Sequence, residues 1–178
     1  MAGVAKLSLV LGGARSGKSA LAERLAVESG HEVVYIATAQ AHDEEMAARI
    51  AHHRAQRPSH WLSVEEPLAL AAALEAHARP GRCVLVDCLT LWLSNLLGSS
   101  DAARLAQERD ALLHLLPSLK GQLLLVSNEV GLGVVPMGEL TRRFVDEAGR
   151  LHQALAAQCE RVVFVAAGLP MPLKGSLT

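Results

Sequence analysis

Aromatic side chains are scarce in this sequence: 3% of its 178 residues, as one Tyr, two Trp and two Phe. Its hydrophobic half (51%) is dominated instead by Ala and Leu, a globular rather than a disordered profile. Cysteine is equally sparse. Cys83, Cys88 and Cys159 are odd in number and form no C-x-x-C pair, which excludes a disulfide framework and a structural zinc site. Cys83 and Cys88 flank a very apolar run and read as small buried residues. Charge of one sign is also missing. The formal net charge is -1, so no basic surface argues for nucleic acid. The N-terminal apolar run breaks at Gly12, too short for a signal peptide or a membrane span. No internal repeat and no low-complexity linker divides the chain. The expectation is one catalytic domain over 1–178, in the cytoplasm.

What is present is an alternation of short, continuous apolar runs with helical spacings. Leu7 to Leu11, Val33 to Ala37, Cys83 to Val86, Leu123 to Val126 and Val162 to Ala166 read as buried parallel strands. Between them, helices are expected over Ser19 to Glu28, Asp43 to Arg54 (with Asp43 as N-cap), Pro67 to His77, Leu89 to Leu97, Asp101 to Leu116 and Glu139 to Gln158. The order implies an α/β domain with a mostly parallel sheet flanked by helices. Ligands of such sheets sit at the carboxyl ends of the strands. Gln56 to Pro67 reads as an irregular surface loop over that end, and Gly168 to Thr178 as a tail.

The first of those strand ends carries Gly12-Gly13-Ala14-Arg15-Ser16-Gly17-Lys18-Ser19, which fits G-x-x-x-x-G-K-[ST] between a strand and a helix. Glycines let successive backbone N–H groups converge on phosphate oxygens, and the following helix points its positive end at the same anion. Lys18 reaches the β/γ-phosphates, and the Ser19 hydroxyl can ligate Mg2+. Asp87 ends the Val84-Leu85-Val86 run, where a neighbouring strand of a P-loop enzyme carries its magnesium-side carboxylate. The competing reading is a turn or cap residue before Leu89. The expected P-loop fold is RecA-like.

A second feature is the run Arg49-Ile50-Ala51-His52-His53-Arg54-Ala55-Gln56-Arg57-Pro58, followed by His60-Trp61 and Glu65. Adjacent helical positions differ by about 100° around the axis, so the two histidines are not expected to serve one ligand. Together with the P-loop, Thr38-Ala39-Gln40, the Val84 to Thr90 strand end, Asn128-Glu129-Val130-Gly131-Leu132-Gly133 and Ala148-Gly149-Arg150, this run resembles the bifunctional adenosylcobinamide kinase / adenosylcobinamide-phosphate guanylyltransferase family. The similarity runs through nearly the whole chain.

That resemblance implies two reactions. Adenosylcobinamide is phosphorylated with ATP or GTP; GMP is then transferred from GTP to the product through a guanylyl-histidine, giving adenosylcobinamide-GDP and pyrophosphate. The resemblance places that histidine directly before the Arg or Lys of H-[RK]-x-x-R-P, which here is His53, with His52 as its neighbour. A neutral imidazole, with an unperturbed pKa of about 6.5, is a competent nucleophile for an α-phosphate. The resemblance also sets Arg54, Ala55, Gln56 and Arg57 beside the nucleotide, and the two arginines can neutralise charge on the transferring group. Thr38, Ala39 and Gln40 read either as nucleotide neighbours or as a strand-to-helix turn. Glu65 reads as a nucleotide or ribose contact or as a solvated carboxylate. Asn128-Glu129 belongs to a loop that closes on the corrinoid or carries a catalytic carboxylate. Trp61 and Trp92 read as packing residues, and His42 and His77 have no assigned role. The family implies a homo-oligomer, a trimer, without nucleic acid or membrane span. A P-loop kinase of another small metabolite, with structural histidines, and a GTP-binding switch are the competing functions. The absence of an N-K-x-D guanine motif speaks against the switch.

Overall fold

The computed structural model describes residues 5–177, without the side chains of Arg49 and Gln56. The elements run β1 (Leu7–Gly12), α1 (Lys18–Glu28), β2 (Glu32–Ala37), α2 (Glu44–Gln56), β3 (Leu62–Glu65), α3 (Leu70–His77), β4 (Arg82–Asp87), α4 (Leu89–Leu97), α5 (Arg104–Leu115), a 3-10 turn at Leu116–Ser118, β5 (Gln122–Asn128), α6 (Glu139–Gln158), β6 (Arg161–Ala166) and β7 (Leu169–Lys174). Seven strands form one sheet in the order β3-β2-β4-β5-β1-β6-β7. All pairings are parallel except β6 with β7.

The continuous apolar runs form strands because both faces of the sheet are covered, so neither parity of side chain meets water. Leu7, Leu9, Leu11, Val84, Val86, Leu123 and Leu125 point to a thick layer made by α3, α4, α5 and α6. Val10, Val33, Tyr35, Leu85, Leu124 and Val126 point the other way, where α1 lays Leu21, Ala22, Leu25 and Ala26 on them and Trp61 extends the cover. Trp61 and Trp92 are both buried. The Trp92 indole Nε1 donates to the Leu68 carbonyl at 2.8 Å, fastening α4 to the approach of α3.

Two segments differ from the sequence expectation. The loop expected over Gln56 to Pro67 contains β3, an edge strand of only four residues whose side chains are at most half-buried, so it lacks the apolar signature of the central strands. The expected tail after Gly168 is β7, which pairs antiparallel with β6. Its Pro170 and Pro172 lack a ladder donor and are tolerated because β7 has no neighbour on its outer side. Helix starts also shift: α3 begins at Leu70 and α5 at Arg104, later than expected. Asp43 does cap α2, its carboxylate accepting from the Met46 N–H at 2.7 Å.

Trp92→Phe removes the indole donor of a fully buried side chain and leaves the half-buried Leu68 carbonyl without this partner. The expected outcome is a loss of about 1–3 kcal/mol, read as a lower urea midpoint with an unchanged m-value.

Candidate nucleotide and transfer site

β1 runs straight into the loop that the motif marks. At Gly12, an added Cβ would stand 2.5 Å from Ser16 Oγ and 2.6 Å from the Val165 carbonyl oxygen, so this glycine is dictated by packing. Gly17, at φ 95°, is dictated by backbone conformation, and Arg15 is also left-handed at φ 54°. The Gly168 N–H donates to the Ser16 carbonyl at 2.8 Å, so the β6–β7 turn buttresses the loop from behind. α1 starts at Gly17 with no side-chain cap and no acidic residue in its first turn. Its first N–H groups and its positive end are left for an anion. Lys18 is buried, and its Nζ donates to the Gly13 carbonyl at 3.1 Å. Ser16 Oγ is buried and has no hydrogen-bond partner among the described residues. A buried hydroxyl without a partner and a lysine that donates only to its own loop are donors that an anion in the loop would engage.

A cleft of about 990 Å³ opens in front of this loop, lined by Ala14 to Ala20 and, from α2, by Glu45, Ala48, His52 and His53. Both histidines therefore face the same cleft, contrary to the expectation from helical spacing. Their ring centroids lie 6.3 Å apart, edge to face. The space is wide enough to take side chains on either flank of the helix.

α2 itself has no buried residue among those described; Met46 and Ile50 are only half-buried. It is held at its ends. Beyond its C-terminus, the Arg57 guanidinium carbon lies 3.5 Å from the centroid of the Tyr35 ring. The Tyr35 hydroxyl donates to Asp87 Oδ2 at 3.1 Å. Burial, and then the charge of Asp87, push the Tyr35 phenol far above its usual range. Glu23, one turn beyond Ser19 on α1, also belongs here: burial and then Asp87 raise its pKa, while Arg57 and His53 act to lower it. Arg57 Nε is buried without a partner among the described residues.

Asp87 ends β4, but β4 is not the immediate neighbour of β1. β5 lies between them, which corrects the sequence reading of adjacent strands. Thr38 is fully buried at the end of β2. Its hydroxyl donates to the Cys88 carbonyl at 2.6 Å and accepts from the Cys88 N–H at 3.0 Å, so the side chain braces the turn after Asp87. Ala39, Gln40, Arg54 and Glu65 line a second cleft of about 610 Å³. There Arg54 Nη1 lies 3.4 Å from Glu65 Oε1, an exposed pair of small energetic weight. Ala55 is exposed, and the Gln56 side chain lies outside the described residues. The expected site is thus two clefts sharing α2: the histidines line one and Arg54 the other.

Sequence reasoning assigned no role to His152. This residue is buried in α6, with Nε2 2.7 Å from Ser127 Oγ and Nδ1 3.9 Å from Glu129 Oε2. The signal was a histidine on the apolar stripe of Ala148, Leu151 and Leu155. Burial depresses its pKa, while Glu129 opposes the shift. The unfolded chain therefore takes up a proton that the folded chain resists, and stability falls as pH drops below about 6.5. His152→Asn is expected to flatten that loss relative to the parent chain, by at most about 1.4 kcal/mol per pH unit. Urea midpoints of both proteins at pH 7.5 and 5.5 read it.

Comparison with known proteins places this geometry. The profile of the cobinamide kinase / cobinamide phosphate guanyltransferase family matches residues 8–173. The chain is 70% identical over 167 residues to the bifunctional adenosylcobalamin biosynthesis protein CobP of Pseudomonas aeruginosa, covering 94% of this chain and 96% of that one. It is 41% identical over 179 residues to the bifunctional adenosylcobalamin biosynthesis protein CobU of Escherichia coli, covering 93% of this chain and 98% of that one. Among solved structures, the RadB recombinase superposes with a TM-score of 0.52 at 18% identity, over 89% of this chain and 73% of that one. A protein of Pyrococcus horikoshii OT3 does so with a TM-score of 0.55 at 10% identity, over 96% and 86%. These two likenesses concern the fold alone. Fold, loop and sequence agree, and the chain belongs to the cobinamide kinase / cobinamide phosphate guanyltransferase family.

Proposed function

We propose that this chain phosphorylates the hydroxyl of adenosylcobinamide from ATP or GTP, and then transfers GMP from GTP to the resulting phosphate. The observation that carries the reading is the shared cleft: a P-loop and two histidines of α2 line one space. Direct phosphoryl transfer needs no nucleophilic side chain beside the phosphate cradle, whereas a covalent nucleotidyl step needs one, and an imidazole supplies it.

In the first reaction, the loop N–H groups and Lys18 hold the β- and γ-phosphates while the acceptor oxygen attacks the γ-phosphorus. In the second, a neutral His53 nitrogen attacks the α-phosphorus of GTP. The bond to the β-phosphate oxygen breaks and pyrophosphate leaves. The phosphate of adenosylcobinamide phosphate then attacks the same phosphorus, the P–N bond breaks and adenosylcobinamide-GDP forms. His53 is preferred to His52 because it directly precedes Arg54 in the motif. Arg57, fixed over Tyr35, supplies positive charge near the transfer. Arg54, Ala55, Gln56, Glu65 and Thr38-Ala39-Gln40 frame the nucleotide on the α2 flank, Thr38 through its brace on the Asp87 turn.

Ser19 and Asp87 supply the oxygen donors that Mg2+ favours, a hydroxyl in the cleft and a carboxylate at a strand end. Mg2+ held there would supply positive charge to the phosphates. The proposed assembly is a homo-oligomer, a trimer by family resemblance.

Incubation with α-labelled GTP and magnesium, followed by denaturation, tests the covalent step. An acid-labile, alkali-stable label is expected on the parent chain and on His52→Ala and is expected to vanish in His53→Ala. A label that survives His53→Ala overturns the assignment. For the metal side, Asp87→Asn is expected to raise the magnesium needed for half-maximal kinase activity roughly tenfold or more, read by a magnesium titration at saturating nucleotide.

A further inference from the structure

The two reactions differ in one chemical respect. The kinase acceptor is an alcohol, which must lose its proton as its oxygen bonds to phosphorus. The transfer acceptor is a phosphate monoester, whose second pKa is about 6, so it is already ionised at neutral pH. One site running both reactions needs a base for the first and none for the second.

β5 is the strand between β1 and β4, so its carboxyl end emerges between the phosphate loop and Asp87. Asn128 is in register with Gly12, and the Glu129 N–H donates to the Gly12 carbonyl at 2.9 Å. Glu129 is thus bonded through its backbone to the residue that opens the P-loop. Its carboxylate is oriented from two sides. Oε1 accepts from the Gly131 N–H at 2.6 Å. Oε2 faces His152 Nδ1 at 3.9 Å, beyond hydrogen-bond reach. The imidazole is anchored through its other nitrogen to Ser127, and burial lowers its pKa while Glu129 opposes the shift. The side chain is 23% exposed. One carboxylate oxygen is therefore held by the Gly131 N–H, and the other, 3.9 Å from His152 Nδ1, has no hydrogen bond among the described residues, at the end of the strand adjoining the P-loop.

Three other features of the molecule carry less. Cys88 and Thr90 are buried and bonded to each other and to Asn128. The second cleft belongs to the nucleotide framing already described. The exposed apolar residues Leu132, Val134, Val135 and Met137 have nothing on them that says what covers them.

We infer that Glu129 is the general base of the kinase reaction. Resting on the bifunctional reading above, the step balances as follows. Glu129 Oε2 takes the proton of the acceptor hydroxyl while that oxygen bonds to the γ-phosphorus. The bond from the γ-phosphorus to the bridging oxygen breaks, its electron pair leaves with the nucleoside diphosphate, and Glu129 later returns the proton to water.

The test uses the full chain with two separate substrates: adenosylcobinamide with ATP and magnesium, and preformed adenosylcobinamide phosphate with GTP and magnesium. Glu129→Gln, which keeps the shape and removes the base, is expected to lower kcat of the first reaction by on the order of 10²–10⁴-fold. KM for both substrates should stay unchanged. The second reaction and the guanylyl label should stay within about threefold of the parent, and that retention also reports an intact fold. Kinase activity that survives Glu129→Gln overturns the inference, and so does equal loss of both reactions, which marks a structural role. A parent chain that performs neither reaction overturns the bifunctional reading itself and the inference with it.

Discussion

The nucleotide end of this molecule depends on the close approach of backbones at Gly12. There β1 stops being a ladder strand and becomes an anion cradle, with no room for even one carbon between the loop and β6. The Gly12 carbonyl accepts from Glu129, the Ser16 carbonyl accepts from Gly168, and Gly17 lies so near Gly168 that its own Cβ would stand 3.2 Å from that Cα. The loop is therefore pinned by β5 on one side and by the β6–β7 turn on the other. Interiors packed this densely do not deform continuously. That rigidity is what keeps several N–H groups aimed at one point before any ligand arrives, so that little ordering entropy remains to be lost on binding.

α2 is built on the opposite principle. It buries no described side chain and is fixed by an N-cap, an exposed ion pair and a guanidinium laid on a tyrosine ring. Those contacts are individually worth about 1 kcal/mol or less. A helix without a buried apolar stripe among its described residues is tied to the sheet less firmly than one that has it. A covalent intermediate suits such a placement, since the nucleophile must approach the α-phosphorus in one half of the reaction and leave its face open to a second acceptor in the other.

Much of this was legible in the sequence, and the reasons are physical. The central strands declare themselves because both their faces are covered and their positions are almost all apolar; Leu89–Leu97 and Glu139–Gln158 match their expected limits through their apolar periodicity. β7 was hidden by Pro170 and Pro172, which signal a tail unless the antiparallel partner is known. β3 was hidden by being short and at an edge. The P-loop was readable because its chemistry is local. The strand order that places β5 between β1 and β4 was not, because it depends on contacts between segments far apart in sequence. The same holds for His152: Ser127 and Glu129 surround it only after α6 packs on β5.

Strand order also decides how one phosphate loop meets two kinds of acceptor. Had β4 stood directly beside β1, Asp87 would end next to Gly12 and leave no intervening strand end. With β5 interposed, Asn128 and Glu129 occupy that gap, and Glu129 is bonded through its backbone to the residue that opens the loop whose cleft α2 lines with imidazoles. The phosphates are then approached by groups of different chemistry from different elements: nitrogen nucleophiles from a lightly held helix, and a carboxylate from a rigid strand end. An alcohol needs the second and a phosphate does not, while a covalent nucleotidyl step needs the first and direct phosphoryl transfer does not. The proposed division of labour thus follows from which element carries each group, and a single cradle is sufficient for both reactions because only the groups around it change roles.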